Sequence, residues 1–166
     1  MADTLTNEIK QDEPIASSDS QFLSNQSYLE SGGRILSSSG QVGVVFDESG
    51  TWKKPNAVSV VIVQLWAGGG SGGADATRAG GGGGGGAYVE AIYKASEIDD
   101  SVTVTVGAGG ASQGGSGVGA VGANSSFGSY LTAYGGGGGG QRPVDSGGGG
   151  GGGGNLAVGS VGGADG

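Results

Sequence analysis

Residues 58–94 read VSVVIVQLWAGGGSGGADATRAGGGGGGGAYVEAIYK, which places two strand-like segments on either side of glycine runs. The first segment, residues 58–66, is apolar at most positions on both faces, so it predicts a central strand buried on two sides. The second segment, residues 87–94, alternates: Val89, Ala91 and Tyr93 oppose Tyr88, Glu90 and Ile92. Two strands joined through glycine rather than through a helical pattern favour β-structure.

Further strand patterns flank this stretch. Residues 41–46 predict a first strand, 47–50 a turn, and 51–56 a short extended piece that Pro55 ends. Residues 101–106 (SVTVTV) alternate, with Val102, Val104 and Val106 facing a core, and residues 125–134 predict one more strand with Phe127 and Leu131 on one face. About five strands with no strong helix indicate an all-β domain over 41–166.

Glycine dominates the composition, with 44 of 166 residues against a background of about 7%. The runs at 68–70, 80–86, 135–140 and 147–154 lack the G-X-Y period and the prolines of collagen. Two structures suit such runs: a flexible coil, or extended polyproline-II-type rods whose amides bond laterally to neighbouring rods. The similar lengths of the longer runs favour packed rods.

Ordering so much glycine costs about 1–2 kcal/mol per residue in backbone entropy. The burial of each large apolar side chain returns about 1.5–3 kcal/mol, which leaves a thin margin. We therefore expect neighbouring subunits to bury further surface in a homo-oligomer, and a trimer is the hypothesis.

The chain contains no His and no Cys. General acid–base catalysis most often uses His, nucleophilic sites need a base beside Ser or Cys, and zinc and copper sites draw on Cys and His. We therefore expect no enzyme activity, no cofactor and no metal site, although carboxylate chemistry and oxygen-ligand Ca²⁺ binding stay formally open.

The formal net charge is −8, and residues 1–48 hold eight acids against two bases. The sequence contains no basic patch of the kind that binds nucleic acids and no apolar run long enough to span a membrane. It also shows no secretory signal pattern. The polar segment 1–40 predicts either a disordered tail or an extended anchor that orders on a partner, and we favour the anchor.

Several motifs that could indicate ligand binding or catalysis have simpler structural explanations. Residues 68–73 match G-x-G-x-x-G after a strand, but the residues that follow cannot form the helix that a dinucleotide site needs. Asp99 and Asp100 suit a solvated turn rather than an acid pair. Trp52 and Trp66 could stack on sugars, but we expect core packing for both, with Trp52 as a lid on the core.

The loops at the rod ends, residues 71–79, 141–146 and 155–166, are the candidate contact surface, because binding residues favour loops on rigid scaffolds. Contacts with a binding partner are expected at Thr77, Arg78, Gln141, Arg142 and Asp145, and the equal alternative is that these are ordinary solvated loop residues.

An ordered set of segments runs from Val45 onward: Phe46, SGTW at 49–52, Pro55, VSVVIVQLWAGGGSGG at 58–73, GGGGGGGAYVEA at 80–91, TVTVGAGG at 103–110 and GANSSFGSYLTAYGGGGGG at 122–140. This ordered set resembles the glycine-rich domain of bacteriophage tail-fibre and adhesin proteins. The resemblance covers about 120 residues. It implies a β-sandwich-like domain with packed polyglycine segments, and it carries over no catalytic residue.

The resemblance also implies a place in a virion, as a tail-fibre or adhesin subunit that attaches to a host-surface receptor, such as a glycan or an outer-membrane protein. The chain would be assembled in the host cytoplasm and joined to other virion proteins through its N-terminal segment. Because the predicted loops hold no aromatic residue, a structural virion role, such as a baseplate, collar or head-decoration component, is the alternative.

Overall fold

The computed structural model describes residues 29–38, 41–76, 79–141 and 147–163, with side chains from residue 43 onward. The expected anchor, residues 1–40, lies outside these residues except for 29–38. Residues 29–38 form the first strand, which pairs with the second strand of the domain.

The described residues form two antiparallel sheets and no α-helix, as the all-β prediction requires. A five-stranded sheet has the order β1-β2-β5-β6-β7, and a two-stranded sheet pairs β3 with β4. The strands are β1 (Leu29–Ser38), β2 (Gln41–Lys53), β3 (Val60–Trp66), β4 (Tyr88–Lys94), β5 (Ser101–Thr105), β6 (Ser125–Phe127) and β7 (Leu131–Ala133). A 3₁₀ turn, Ala95–Glu97, links β4 to β5.

The hydrophobic core lies between the two sheets, which makes the sheet half of the domain a small β-sandwich. Its buried members come from both sheets and the 3₁₀ connection: Trp52, Val63, Leu65, Ala87, Ile98, Val102, Val104, Phe127 and Ala133. Trp52 meets Phe127 edge-on at a centroid distance of 5.3 Å. The alternation predicted for 101–106 is confirmed in β5, where Val102 and Val104 are buried between exposed Thr103 and Thr105.

The prediction that residues 58–66 form a central strand buried on both faces is wrong. Val63 and Leu65 are buried, but Val60, Ile62 and Trp66 are 52–64% exposed. The physical reason is the small size of the second sheet. β3 has only β4 beside it, and the described residues supply no layer on the outer side of that pair.

Two other predicted elements have different bounds. The turn expected at 47–50 is part of the long strand β2, which continues to Lys53. β2 pairs with β1 on one edge as far as Trp52, and its last four residues also pair with β5 on the other edge. The single strand expected at 125–134 is a hairpin, β6–β7. Gly128 permits this turn with φ 51°, a left-handed conformation that residues with a side chain rarely adopt.

The glycine runs are ordered rods, as predicted, and each rod bonds laterally to its neighbours. The described residues contain seven such rods, numbered in chain order: rod 1 (67–74), rod 2 (80–87), rod 3 (106–110), rod 4 (117–124), rod 5 (134–140), rod 6 (147–154) and rod 7 (157–163). Between rods 1 and 2 the amides of Ala67, Gly70 and Gly73 donate to the carbonyls of Ala87, Gly84 and Gly81. This spacing of three residues is the period of the polyproline-II helix.

Rod 5 lies at the centre of the lattice. Its six glycines, 135–140, are all buried. Gly136 and Gly139 donate to rod 1, Gly137 and Gly140 donate to rod 6, and rod 5 carbonyls accept hydrogen bonds from rods 2, 4 and 7. Five rods therefore surround rod 5, and its buried peptide groups bond to neighbouring rods, as buried peptide groups must away from water.

Strands and rods are continuous segments of chain. β3 runs into rod 1 and rod 2 runs into β4, so the antiparallel register of Trp66 with Tyr88 continues as the bond from Ala67 to Ala87. Similarly β7 runs into rod 5. The sandwich therefore fixes the register of the rods at one end of the lattice.

Candidate functional site

The outer face of the β3–β4 sheet is an exposed apolar surface on the sandwich. We define this outer face by the register pairs Val60–Lys94, Ile62–Ile92, Gln64–Glu90 and Trp66–Tyr88. Ile92 is 66% exposed and Ile62 60% exposed, and they lie opposite each other in mid-strand. Exposed contiguous apolar patches of this kind commonly mark interaction sites.

Gln64 and Glu90 form a polar group on the outer face, beside Trp66 and Tyr88. The Gln64 amide donates to Glu90 Oε2 at 2.6 Å, and the Tyr88 hydroxyl donates to the same oxygen at 2.9 Å. These hydrogen bonds, with Gln64 the larger cause and Tyr88 the smaller, hold the pKa of the Glu90 carboxyl below its usual value. The bond to Glu90 in turn raises the pKa of Tyr88. The carboxylate is therefore fixed in position and ionised at neutral pH.

The two tryptophans have opposite environments. Trp52 is 7% exposed and belongs to the core, as expected. The expectation of core packing for Trp66 is wrong, because Trp66 is 64% exposed. Its ring packs against that of Tyr88, with ring centroids 5.0 Å apart and an interplanar angle of 44°. Sequence reasoning missed the outer face because an apolar residue at the end of an apolar strand gives no signal of which face lacks a covering layer.

The structure brings the flanks of two predicted contact loops to one end of the rod lattice. Gly81 accepts a hydrogen bond from Gly73 and donates to Gly140, so the chain on both sides of 75–79 and the chain entering 141–146 lie side by side. Gln141 is half-buried at the end of rod 5. Thr77, Arg78, Arg142 and Asp145 lie outside the described residues.

The NSSF residues, 124–127, lie at the junction of the sandwich and the rods. Asn124 Oδ1 accepts from the Gly135 amide at 2.9 Å, at the start of rod 5. Ser125, 3% exposed, donates to the Trp66 carbonyl at 2.6 Å and accepts from the Gly107 amide at 2.9 Å. Phe127 is buried in the core. These three residues serve the fold rather than a ligand.

A shallow cleft of about 640 Å³ lies along the free edge of β4, between it, the β6–β7 hairpin and the end of rod 6. A second, of about 630 Å³, lies near Lys54, whose ammonium donates to the carbonyls of Ala95 and Ile98 and pairs with Asp100 at 2.8 Å. These bonds give Lys54 a structural role. Asp99 and Asp100 are exposed, as the solvated-turn interpretation expects.

Within the described residues, no three His, Cys, Asp or Glu side chains cluster in a way that could hold a metal ion. The same part of the chain has no helix of the length and apolarity that a bilayer crossing requires. The arrangement instead offers surfaces: an apolar and aromatic sheet face, and a set of loops at the far end of a rigid rod lattice.

Comparison with known proteins gives one match. No curated protein and no solved structure matches the chain. The family described as "Glycine-rich domain" matches residues 44–166, which include β2 from its fourth residue, all later strands and all seven rods described above. The chain therefore belongs to the glycine-rich domain family.

Proposed function

We propose that this chain is a structural subunit of a bacteriophage tail fibre or adhesin, and that it mediates attachment of the virion to the host surface. The observation that supports this role best is that the described segments flanking 77–78 and 142–146 meet at one end of a lattice in which every rod bonds laterally to its neighbours. A rigid scaffold that presents adjacent loops suits recognition of an extended surface.

The proposal assigns the contacts to Thr77, Arg78, Gln141, Arg142 and Asp145, and the receptor class to a host-surface glycan or outer-membrane protein. It also includes attachment to other virion proteins through the N-terminal segment, self-association, and assembly in the host cytoplasm without enzyme activity. Of the assigned residues, Arg78 and Arg142 can donate to hydroxyl or anionic oxygens, Asp145 can accept from hydroxyl groups, and Thr77 and Gln141 are neutral and polar. This mixture favours a hydroxyl-rich partner.

Binding of the purified, fluorescently labelled protein to a panel of bacterial cells tests the proposal. We expect saturable binding to at least one strain, and we expect the combined R78A and R142A variant to lose it while its melting temperature is unchanged. The matched control is Lys53→Ala, which removes a cation at the opposite, sandwich end. Binding that the loop variant retains in full would contradict the assignment of the loops.

The alternative is a virion component without a receptor, such as a baseplate, collar or head-decoration protein. The absence of aromatic residues from 75–79 and 141–146 favours this alternative, because a receptor-binding tip is expected to carry them. Deletion of residues 1–28, which leaves β1 in place, distinguishes attachment to the particle from attachment to the cell. The anchor hypothesis predicts that the shortened protein no longer enters virions, and normal incorporation would contradict it.

A further inference from the structure

The outer face of β3–β4 has an unusual composition for a surface exposed to water. Every second residue of both strands points to it, and five of the eight are large and apolar: Val60, Ile62, Trp66, Tyr88 and Ile92. The inner face of the same strands is committed to the core, through Val63 and Leu65. The β3–β4 pair is therefore apolar on both faces, a pattern typical of strands that are covered on both sides.

The exposed area fits a modest protein interface. Each of the five side chains is 50–66% exposed, which gives on the order of 500 Å² when large side chains cover about 150–250 Å² each. Full overlap of two such faces would bury about 1,000 Å² in total and partial overlap less, which is the size range of weak, transient complexes. Such an interface supports a reversible, concentration-dependent complex.

The charges on the outer face are arranged for self-recognition. Glu90 and Lys94 lie on the same strand and the same face, two residues to either side of Ile92. A two-fold axis across the strands at the Ile62–Ile92 level would place Glu90 of one copy opposite Lys94 of the other, twice. The Gln64 and Tyr88 hydrogen bonds both go to Glu90 Oε2, so neither uses Oε1.

From these observations we infer that the outer face of β3–β4 binds the same face of a second copy of this chain, about a two-fold axis at Ile62 and Ile92. Isologous contacts of this kind are the commonest in homo-oligomers. Ile62 and Ile92 form the centre of the interface, and the two Glu90–Lys94 pairs flank them on the β4 side. Trp66 and Tyr88 lie beyond these pairs, opposite the partner's chain just before β3 and just after β4. The inference does not depend on the virion role.

Sedimentation of the full chain from about 1 to about 500 μM, a range suited to micromolar affinity, tests the pairing. We expect a reversible monomer–dimer equilibrium. Ile92→Asn should raise the dissociation constant at least about tenfold, because it places an amide at the centre of the apolar contact. Leu156→Asn is the control, since Leu156 is 85% exposed and lies at the turn between rods 6 and 7, so the dimer should be unaffected.

Charge exchange tests the two-fold geometry itself. Glu90→Lys alone and Lys94→Glu alone each replace two attractive pairs by two repulsive pairs, and each should weaken the dimer by about tenfold. The double variant, E90K with K94E, should restore it to within about threefold. An equimolar mixture of the two single variants should form a mixed dimer, because each supplies the charge that the other lacks.

Circular dichroism of every variant confirms that the monomer is folded. A wild-type chain that stays monomeric at all concentrations would overturn the inference, whether the outer face is bare or covered by another part of the same chain. A trimeric mass, as the sequence alone leads one to expect, would overturn the two-fold arrangement. Failure of the charge exchange to restore pairing would overturn the assigned register.

Discussion

At the residue scale, the fold depends on where the lattice leaves room for a side chain. A Cβ built on Gly84 would collide with the carbonyl of Gly151 in rod 6, whereas a Cβ on the adjacent Gly85 would meet no atom within 4 Å. Close approach of two backbones, rather than a special φ angle, is what demands glycine at position 84. The run 80–86 therefore mixes required glycines with replaceable ones.

These neighbours give a matched pair of variants. Gly84→Ala should lower the free energy of unfolding by about 3 kcal/mol or more, because rods 2 and 6 must separate and their hydrogen bonds weaken. Gly85→Ala should change it by no more than about 1 kcal/mol, with a gain expected from the lower entropy of the unfolded chain. Urea denaturation followed by far-ultraviolet circular dichroism measures both, and equal losses would contradict the lattice.

A tyrosine in the sandwich predicts the response to alkaline pH. Burial raises the pKa of Tyr93, whose hydroxyl donates to the Tyr130 carbonyl at 2.8 Å. A raised folded-state pKa means that the stability from this group is complete below the unfolded value near 10, and is lost as pH rises through the folded value.

Thermal melts between pH 8 and pH 12 should therefore show a falling melting temperature above pH 10. Tyr93→Phe should flatten that fall while lowering the melting temperature at pH 8, since its carbonyl partner loses a donor. A pH profile identical to that of the wild type would show that Tyr93 does not contribute.

At the element scale, Ser125 connects β3, β6 and rod 3 through one buried hydroxyl. Ser125→Ala leaves the Trp66 carbonyl and the Gly107 amide without this partner, and should cost about 1–3 kcal/mol of unfolding free energy. Ser126→Ala is the matched control, because Ser126 is half-buried and its side chain joins no such bridge. A loss no greater than that of the control would show that the junction tolerates separation.

The elements also show how far sequence reasoning extends. Strict alternation located β5 with its correct buried face, and glycine runs of similar length led to packed rods. Alternation could not tell that β3 has an uncovered side, because apolar residues on both faces look the same whether the covering layer belongs to this chain or to another. The hairpin turn at Gly128 was missed because a single glycine within a strand pattern gives no clear stop.

The candidate site was predictable in part. Loop residues at the ends of glycine runs follow from the rods themselves, and the structure brings the flanks of two such loops together at Gly81. The outer face of β3–β4 was not predictable, since Trp66 and Ile62 become a surface only through the register of β3 with β4 and the absence of a third layer among the described residues.

At the scale of the whole molecule, the sandwich and the lattice should unfold together. β3, β4 and β7 continue directly into rods 1, 2 and 5, so neither part can lose its register without releasing the other. We expect urea curves from tryptophan fluorescence, which reports on buried Trp52, to coincide with those from glycine amide resonances. Two separated transitions would show that the rods form an independent unit.

Hydrogen exchange of the glycine amides, resolved by nuclear magnetic resonance, tests the lateral bonding of the rods most directly. Gly136, Gly137, Gly139 and Gly140 donate hydrogen bonds inside the lattice and should exchange slowly, as should Gly81 and Gly84 on the inner side of rod 2. Gly82 and Gly85, on its exposed side, should exchange close to the rate of a free peptide. Slow amides recurring with the three-residue period would support the lattice, and uniformly fast exchange through 80–86 and 135–140 would contradict it.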